Sequence, residues 1–202
     1  MSLLRDTSTA IGDKLIRGLM QLNSRDEAER AAARIDVSGI SSRHLQRQTV
    51  RAAADFYQLV GKDVGVKMII QEKDRSYAEK TEMTIGLENA NPRERRETLF
   101  HEMGHFTEFS DDYTRNLASE WVKGRATGGL KSLREMSDHD YDEDEMAFPD
   151  NFFHPYVGKH YDYAATEVHS MGLQEFASGR NVVKLFHQDR EHFDLMIRYI
   201  RQ

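Results

Sequence analysis

The chain has no cysteine. That absence removes disulfides, thiolate metal ligands and a cysteine nucleophile together. Any metal site must therefore be built from imidazole and carboxylate groups. No apolar run approaches the ~20 residues of a membrane-spanning helix, so no membrane partner is expected. The opening Met1-Ser2-Leu3-Leu4-Arg5-Asp6 lacks a basic start followed by an apolar stretch. No secretory leader is expected, and cytoplasmic residence is the default reading, with delivery by a phage or secretion system as a variant of it. Net charge is −6, which gives no reason to expect nucleic acid as a partner. No internal repeat is visible.

What is present suits a folded α+β protein. The chain has 202 residues, 39% hydrophobic and 31% charged, enough for one sizeable core. Helical periodicity runs over residues 9–22 and, in a charged and alanine-rich stretch, 25–34. A stronger helix starts at Ser41 or Ser42, runs to Leu59 and stops at Gly61. His44 lies on it with no partner at ligand spacing. Residues 66–70 and 81–87 read as strands joined through Asp74-Arg75-Ser76, and Tyr77-Ala78 forms a short strand of its own in one version. We expect 81–87 to be an exposed sheet edge on which an extended peptide can pair, with an internal strand as the close alternative.

A helix over 91–109 follows, and Ser110-Asp111-Asp112 caps another that places Trp121 in the core. Residues 127–157 read as irregular. Within them the acidic run 138–145 lacks the glycine and spacing of a calcium loop and reads as a solvated loop, or a lid. An aromatic stretch over 149–163 leads into a helical segment, 164–176, ended by Gly179. A last helix spans about 189–200.

The most informative stretch is His101-Glu102-Met103-Gly104-His105. Asn91 caps its helix, Pro92 fits the first turn, Glu94 sits at the capping-box position, and Leu99, Met103 and Phe106 form an apolar stripe. His101 and His105, one turn apart, project from one face and can share a Zn²⁺. Glu102 stands beside them, placed to take a proton from a water that the cation activates. Gly104 lets another segment approach closely, at a helix-propensity cost of about 1 kcal/mol.

A catalytic zinc takes three protein ligands. No histidine occurs from Thr107 to Arg115, so the third comes from further away. Glu167, among the small neighbours Ala164 and Ala165, is the best candidate, with His160 and His169 as rivals. His169 points about 200° away from Glu167 if both are helical.

HEMGH with a downstream helical glutamate resembles the gluzincin branch of zinc metallopeptidases. The stretches Tyr156-Val157-Gly158-Lys159-His160-Tyr161 and Ala165-Thr166-Glu167-Val168-His169-Ser170-Met171-Gly172 are similar to zincin-like domains of bacteriophage and mobile-element proteins. The resemblance covers roughly residues 60–200. It implies a small α+β zincin fold with a short mixed sheet, zinc on His101, His105 and Glu167, and Glu102 as general base and acid. Residues 1–60 would then be a helical segment packed on a metallopeptidase domain of 61–202. Many gluzincins carry an aspartate four residues after the ligand glutamate, to orient a ligand histidine; here that residue is Met171. Ser170, Glu175, Asp162 or a backbone carbonyl would have to substitute.

The expected activity is zinc-dependent hydrolysis of a peptide or protein substrate. Tyr161 is the first choice to stabilise the oxyanion, with Tyr156, Tyr163 and His160 as competitors. One alternative is a zinc-stabilised interaction module with little hydrolysis; another is an effector peptidase acting on one protein. Oligomeric state has no signal in the sequence.

Overall fold

The computed structural model describes residues 2–88, 90–137, 141–161 and 165–202. Three helices open the chain: α1 (Ser2–Met20), α2 (Arg25–Ala32) and α3 (Arg43–Val60). The Ser24 and Ser42 hydroxyls accept the first free amides of α2 and α3. Gly61 ends α3 at φ +72°, a left-handed conformation that only glycine adopts without strain.

A three-stranded sheet follows, made of β1 (Met68–Glu72), β2 (Tyr77–Glu79) and β3 (Thr84–Glu88). Its order is β1-β3-β2, with β1 parallel and β2 antiparallel to β3. This overturns the expectation that residues 81–87 are the sheet edge. The strand begins only at Thr84, because Glu79 accepts the Thr81 and Glu82 amides and Met83 turns through φ +55°. Thr84, Ile85, Gly86 and Leu87 are all buried, so β3 is the central strand. The free edge on the cleft side is β2, the short Tyr77-Ala78 strand.

Helix α4 (Pro92–Phe109) carries the HEMGH residues. Asn91 Oδ1 accepts the amides of Arg93 and Glu94, while Glu94 is exposed on the first turn. Then come α5 (Asp112–Arg125), β4 (Lys131–Ser132), α6 (Leu133–Met136), β5 (Met146–Ala147) and a 3₁₀ turn (Pro155–Gly158). The β4–β5 pair gives the stretch read as irregular a small sheet of its own. In the acidic run, Asp142, Glu143 and Asp144 are exposed. Glu145 is not solvated: Lys159 pairs with it. Asp138, His139 and Asp140 of the same run lie outside the described residues.

The chain closes with α7 (Val168–Glu175), α8 (Gly179–Gln188) and α9 (Arg190–Ile200). Here the sequence reading needs two corrections. Glu167 is the N-cap of α7 rather than a residue within the helix. Gly179 does not end a helix but starts α8, where its N–H donates to Asp13 Oδ1 and Ser178 caps the turn. Buried residues of all three N-terminal helices belong to the same hydrophobic core as α4, α7, α8 and α9. No helix among the described residues is long and apolar enough to cross a membrane. The result is a small α+β fold in which α4 packs most extensively against α7.

Candidate metal centre

That α4–α7 contact exists because of Gly104. A Cβ there would lie 2.6 Å from Ser170 Cα and 3.0 Å from the His169 carbonyl oxygen. Both are backbone atoms of α7, and they cannot swing aside as a flexible side chain would. Alanine at this position gains roughly 1 kcal/mol of helix propensity but forces the helices apart, at a cost of about 1–3 kcal/mol for overpacking. Gly104→Ala is therefore expected to lower stability in urea denaturation, although an exposed glycine in a helix would respond in the opposite direction.

With the helices this close, His101 Nε2 lies 3.4 Å and His105 Nε2 3.5 Å from Glu167 Oε2. Three ligands on a tetrahedral cation at Zn–N and Zn–O distances of 2.0–2.2 Å stand roughly 3.3–3.6 Å apart. Both imidazole–carboxylate separations fall in the range such a cation requires. His101, Glu102 and His105 also present ligand-type atoms within 4.8 Å of one another. Glu167 Oε2, at 3.4 and 3.5 Å, also stands inside that limit to both rings, so two carboxylates, Glu102 and Glu167, face the imidazole pair.

Hydrogen bonds orient His101 and Glu167, whereas the buried Nδ1 of His105 has no hydrogen-bond partner among the described residues. His101 Nδ1 lies 2.9 Å from Gln174 Oε1, so Nδ1 carries the proton and Nε2 is left as the free lone pair. Burial pushes the His101 imidazole down to about 4, keeping it in the neutral form that ligates metal. Glu167 is fully enclosed, and burial alone would raise its carboxyl. Attraction to the facing His105 and His101 rings when they carry a proton, with hydrogen bonds from Ser170 and Tyr161, outweighs that and holds it below the ordinary range. Ser170 Oγ donates to Oε2 at 2.6 Å and Tyr161 OH to Oε1 at 2.5 Å. Burial, then the Glu167 charge, raises Glu102 to about 8, with Arg75 opposing.

The site opens into a cleft of about 810 Å³ whose walls include Arg75, Tyr77, Ala78, Tyr156 and Tyr161. Arg75 Nη2 and Lys159 Nζ both donate to Tyr156 OH, at 3.0 and 3.1 Å. Burial, then Glu167, raises the Tyr161 hydroxyl far above its ordinary range, so it is a donor at any working pH.

His101, Glu102, His105, Tyr161 and Glu167 thus come together around one cleft. The rival third ligands do not join them. His160 is exposed and packs edge-on against Phe148, and His169 is buried against Glu108 and Tyr199. His44 is exposed on α3. Tyr163, Asp162 and Ala164 lie outside the described residues. Three contributors escaped sequence reasoning: Gln174, Arg75 and Glu108. Gln174 is seven residues beyond Glu167, two helical turns, and that spacing was the available signal. It supplies the orienting contact that Met171 cannot. Of the proposed substitutes, Ser170 serves the Glu167 carboxylate instead. Glu175 is buried near Lys184 and Glu97, and burial raises it to about 7.

No protein-family model matches the chain, and no curated protein or solved structure is significantly similar to it.

Proposed function

We propose that this protein is a zinc-dependent peptidase of the gluzincin kind, with His101, His105 and Glu167 as ligands. One observation carries the proposal: Glu167 Oε2 sits within 3.4 and 3.5 Å of the two imidazole nitrogens on the HExxH helix. A bound Zn²⁺ supplies Lewis acidity toward a carbonyl and a water of lowered pKa. Glu102 would accept the proton of the attacking water and return it to the departing amine, with the cation's positive charge drawing its carboxyl down from the raised value that burial gives it in the metal-free site. Tyr161 steadies Glu167 through its one hydroxyl proton; serving as oxyanion donor requires that proton to turn toward the substrate. The free backbone of β2 offers an extended substrate a strand to pair with beside the metal.

A second reading, a zinc-stabilised interaction module, has Met171 in its favour at the position where an orienting aspartate is usual. Gln174 weakens it by holding His101 directly. One experiment separates the two. The purified protein is assayed for metal and incubated with a mixed proteome, with and without chelator. One zinc per chain and chelator-sensitive new N-termini are expected, a few products meaning a narrow effector peptidase. Bound zinc with no cleavage favours the module, and no zinc binding removes both.

A further inference from the structure

Glu108 lies in the last turn of α4 and is completely buried. A carboxylate there faces the carbonyl end of its own helix, where negative charge is unfavourable. Its partners are on the other helix. Oε2 accepts the Thr166 amide at 2.7 Å, and Oε1 accepts Thr166 Oγ1 at 2.8 Å. Oε1 also lies 3.1 Å from His169 Nδ1 and 3.4 Å from the His169 amide. Thr166 Oγ1 in turn accepts the Val168 amide at 3.1 Å. The first two amides of α7 are thereby satisfied by Glu108 and Thr166, neither of which is the N-cap.

The N-cap itself is Glu167, and its side chain makes no capping hydrogen bond. A short polar N-cap such as aspartate ordinarily turns its oxygen back onto the second or third amide of its helix, and a glutamate folded back could reach the same amides. Here the second amide, that of His169, is taken by Glu108. The Glu167 carboxylate instead turns toward α4, onto the two imidazoles.

We propose that Glu108 is a positioning residue for the metal centre: it takes over the capping of α7 and so leaves the Glu167 carboxylate directed at His101 and His105. It stands one turn beyond His105 on α4, so a single side chain fixes the third ligand's segment to the helix bearing the other two. The proposal rests on the zinc reading of those three residues.

The test is zinc affinity, measured by competition with a chromophoric chelator, together with the visible absorption spectrum of the Co²⁺-substituted protein. Wild type, E108A, E108Q and the remote core variant L19A are compared, with the stability of each metal-free protein measured by denaturant. We expect E108A to lose about 10–100-fold in zinc affinity, as outer supports of metal sites generally do, and to show an altered Co²⁺ spectrum. E108Q keeps the shape and one acceptor and loses less. L19A loses stability but keeps the wild-type affinity and spectrum. Should E108A not fold, E108Q is read against L19A in the same way, with a loss of affinity again expected. Unchanged affinity in the Glu108 variants, or an equal loss in L19A, overturns the positioning role while wild type still binds zinc. Wild type that binds no zinc overturns the metal centre as well, which is a distinct result.

Discussion

Glu102→Gln is expected to retain zinc and the fold while cleavage falls by about 10²–10⁴-fold, the usual contribution of a positioned general base. The substitution keeps the side chain's size, so the buried position beside His101 and His105 stays filled. It takes away only the ability to accept a proton and give it back. Because the proposed ligand set is His101, His105 and Glu167, metal content should match wild type within experimental error. Peptide turnover and metal analysis on one preparation decide the matter: turnover equal to wild type would eliminate Glu102 as the base. Loss of zinc along with activity would instead make Glu102 a ligand, a role that its place within 4.8 Å of both histidines makes geometrically open.

Glu167→Ala is expected to weaken zinc binding by more than about 100-fold, beyond the range typical of outer supports. The loss has two parts. One of three protein ligands is gone, and the hydroxyls of Ser170 and Tyr161 lose their common acceptor. Glu167→Gln separates these parts, since the amide keeps an acceptor oxygen but not the charge; it should retain the fold and still bind zinc poorly. Gln174→Ala should cost about 10–100-fold, by releasing the His101 ring. His160→Ala, on an exposed ring packed against Phe148, should change nothing. Isothermal titration with zinc ranks the four. If His160→Ala proves more damaging than Glu167→Ala, the third ligand has been misassigned.

The half of the site that lies on α4 was legible because its determinants are local. Asn91 caps, Leu99 and Met103 set the buried stripe, and the one-turn spacing of His101 and His105 fixes their common face. Gly104 went further: a glycine in mid-helix implied a close neighbour, and the neighbour is the α7 backbone at Ser170. The other half depends on how two helices cross, which no short window of sequence records. Glu167 could be put forward from its small neighbours and the family resemblance, but Gln174 and Glu108 acquire their partners only once α7 lies on α4. Strand order was hidden for the same reason. Residues 84–87 look equally suited to an edge or a centre until Met68–Glu72 and Tyr77–Glu79 are seen flanking them. Gly179 misled because glycine commonly follows a helix; here it opens one, its amide taken by Asp13 from the far end of the chain.

The brevity of β2 limits how a guest polypeptide could be selected. Three residues, Tyr77, Ala78 and Glu79, offer only a rung or two of main-chain ladder, too little to grip a chain of arbitrary composition for long. Discrimination would then fall to side chains near the rung, with Tyr77 on the strand itself and the hydrogen-bonded Arg75 and Tyr156 beside the cleft. A good substrate would be one whose local chemistry suits those three, in a stretch loose enough to straighten.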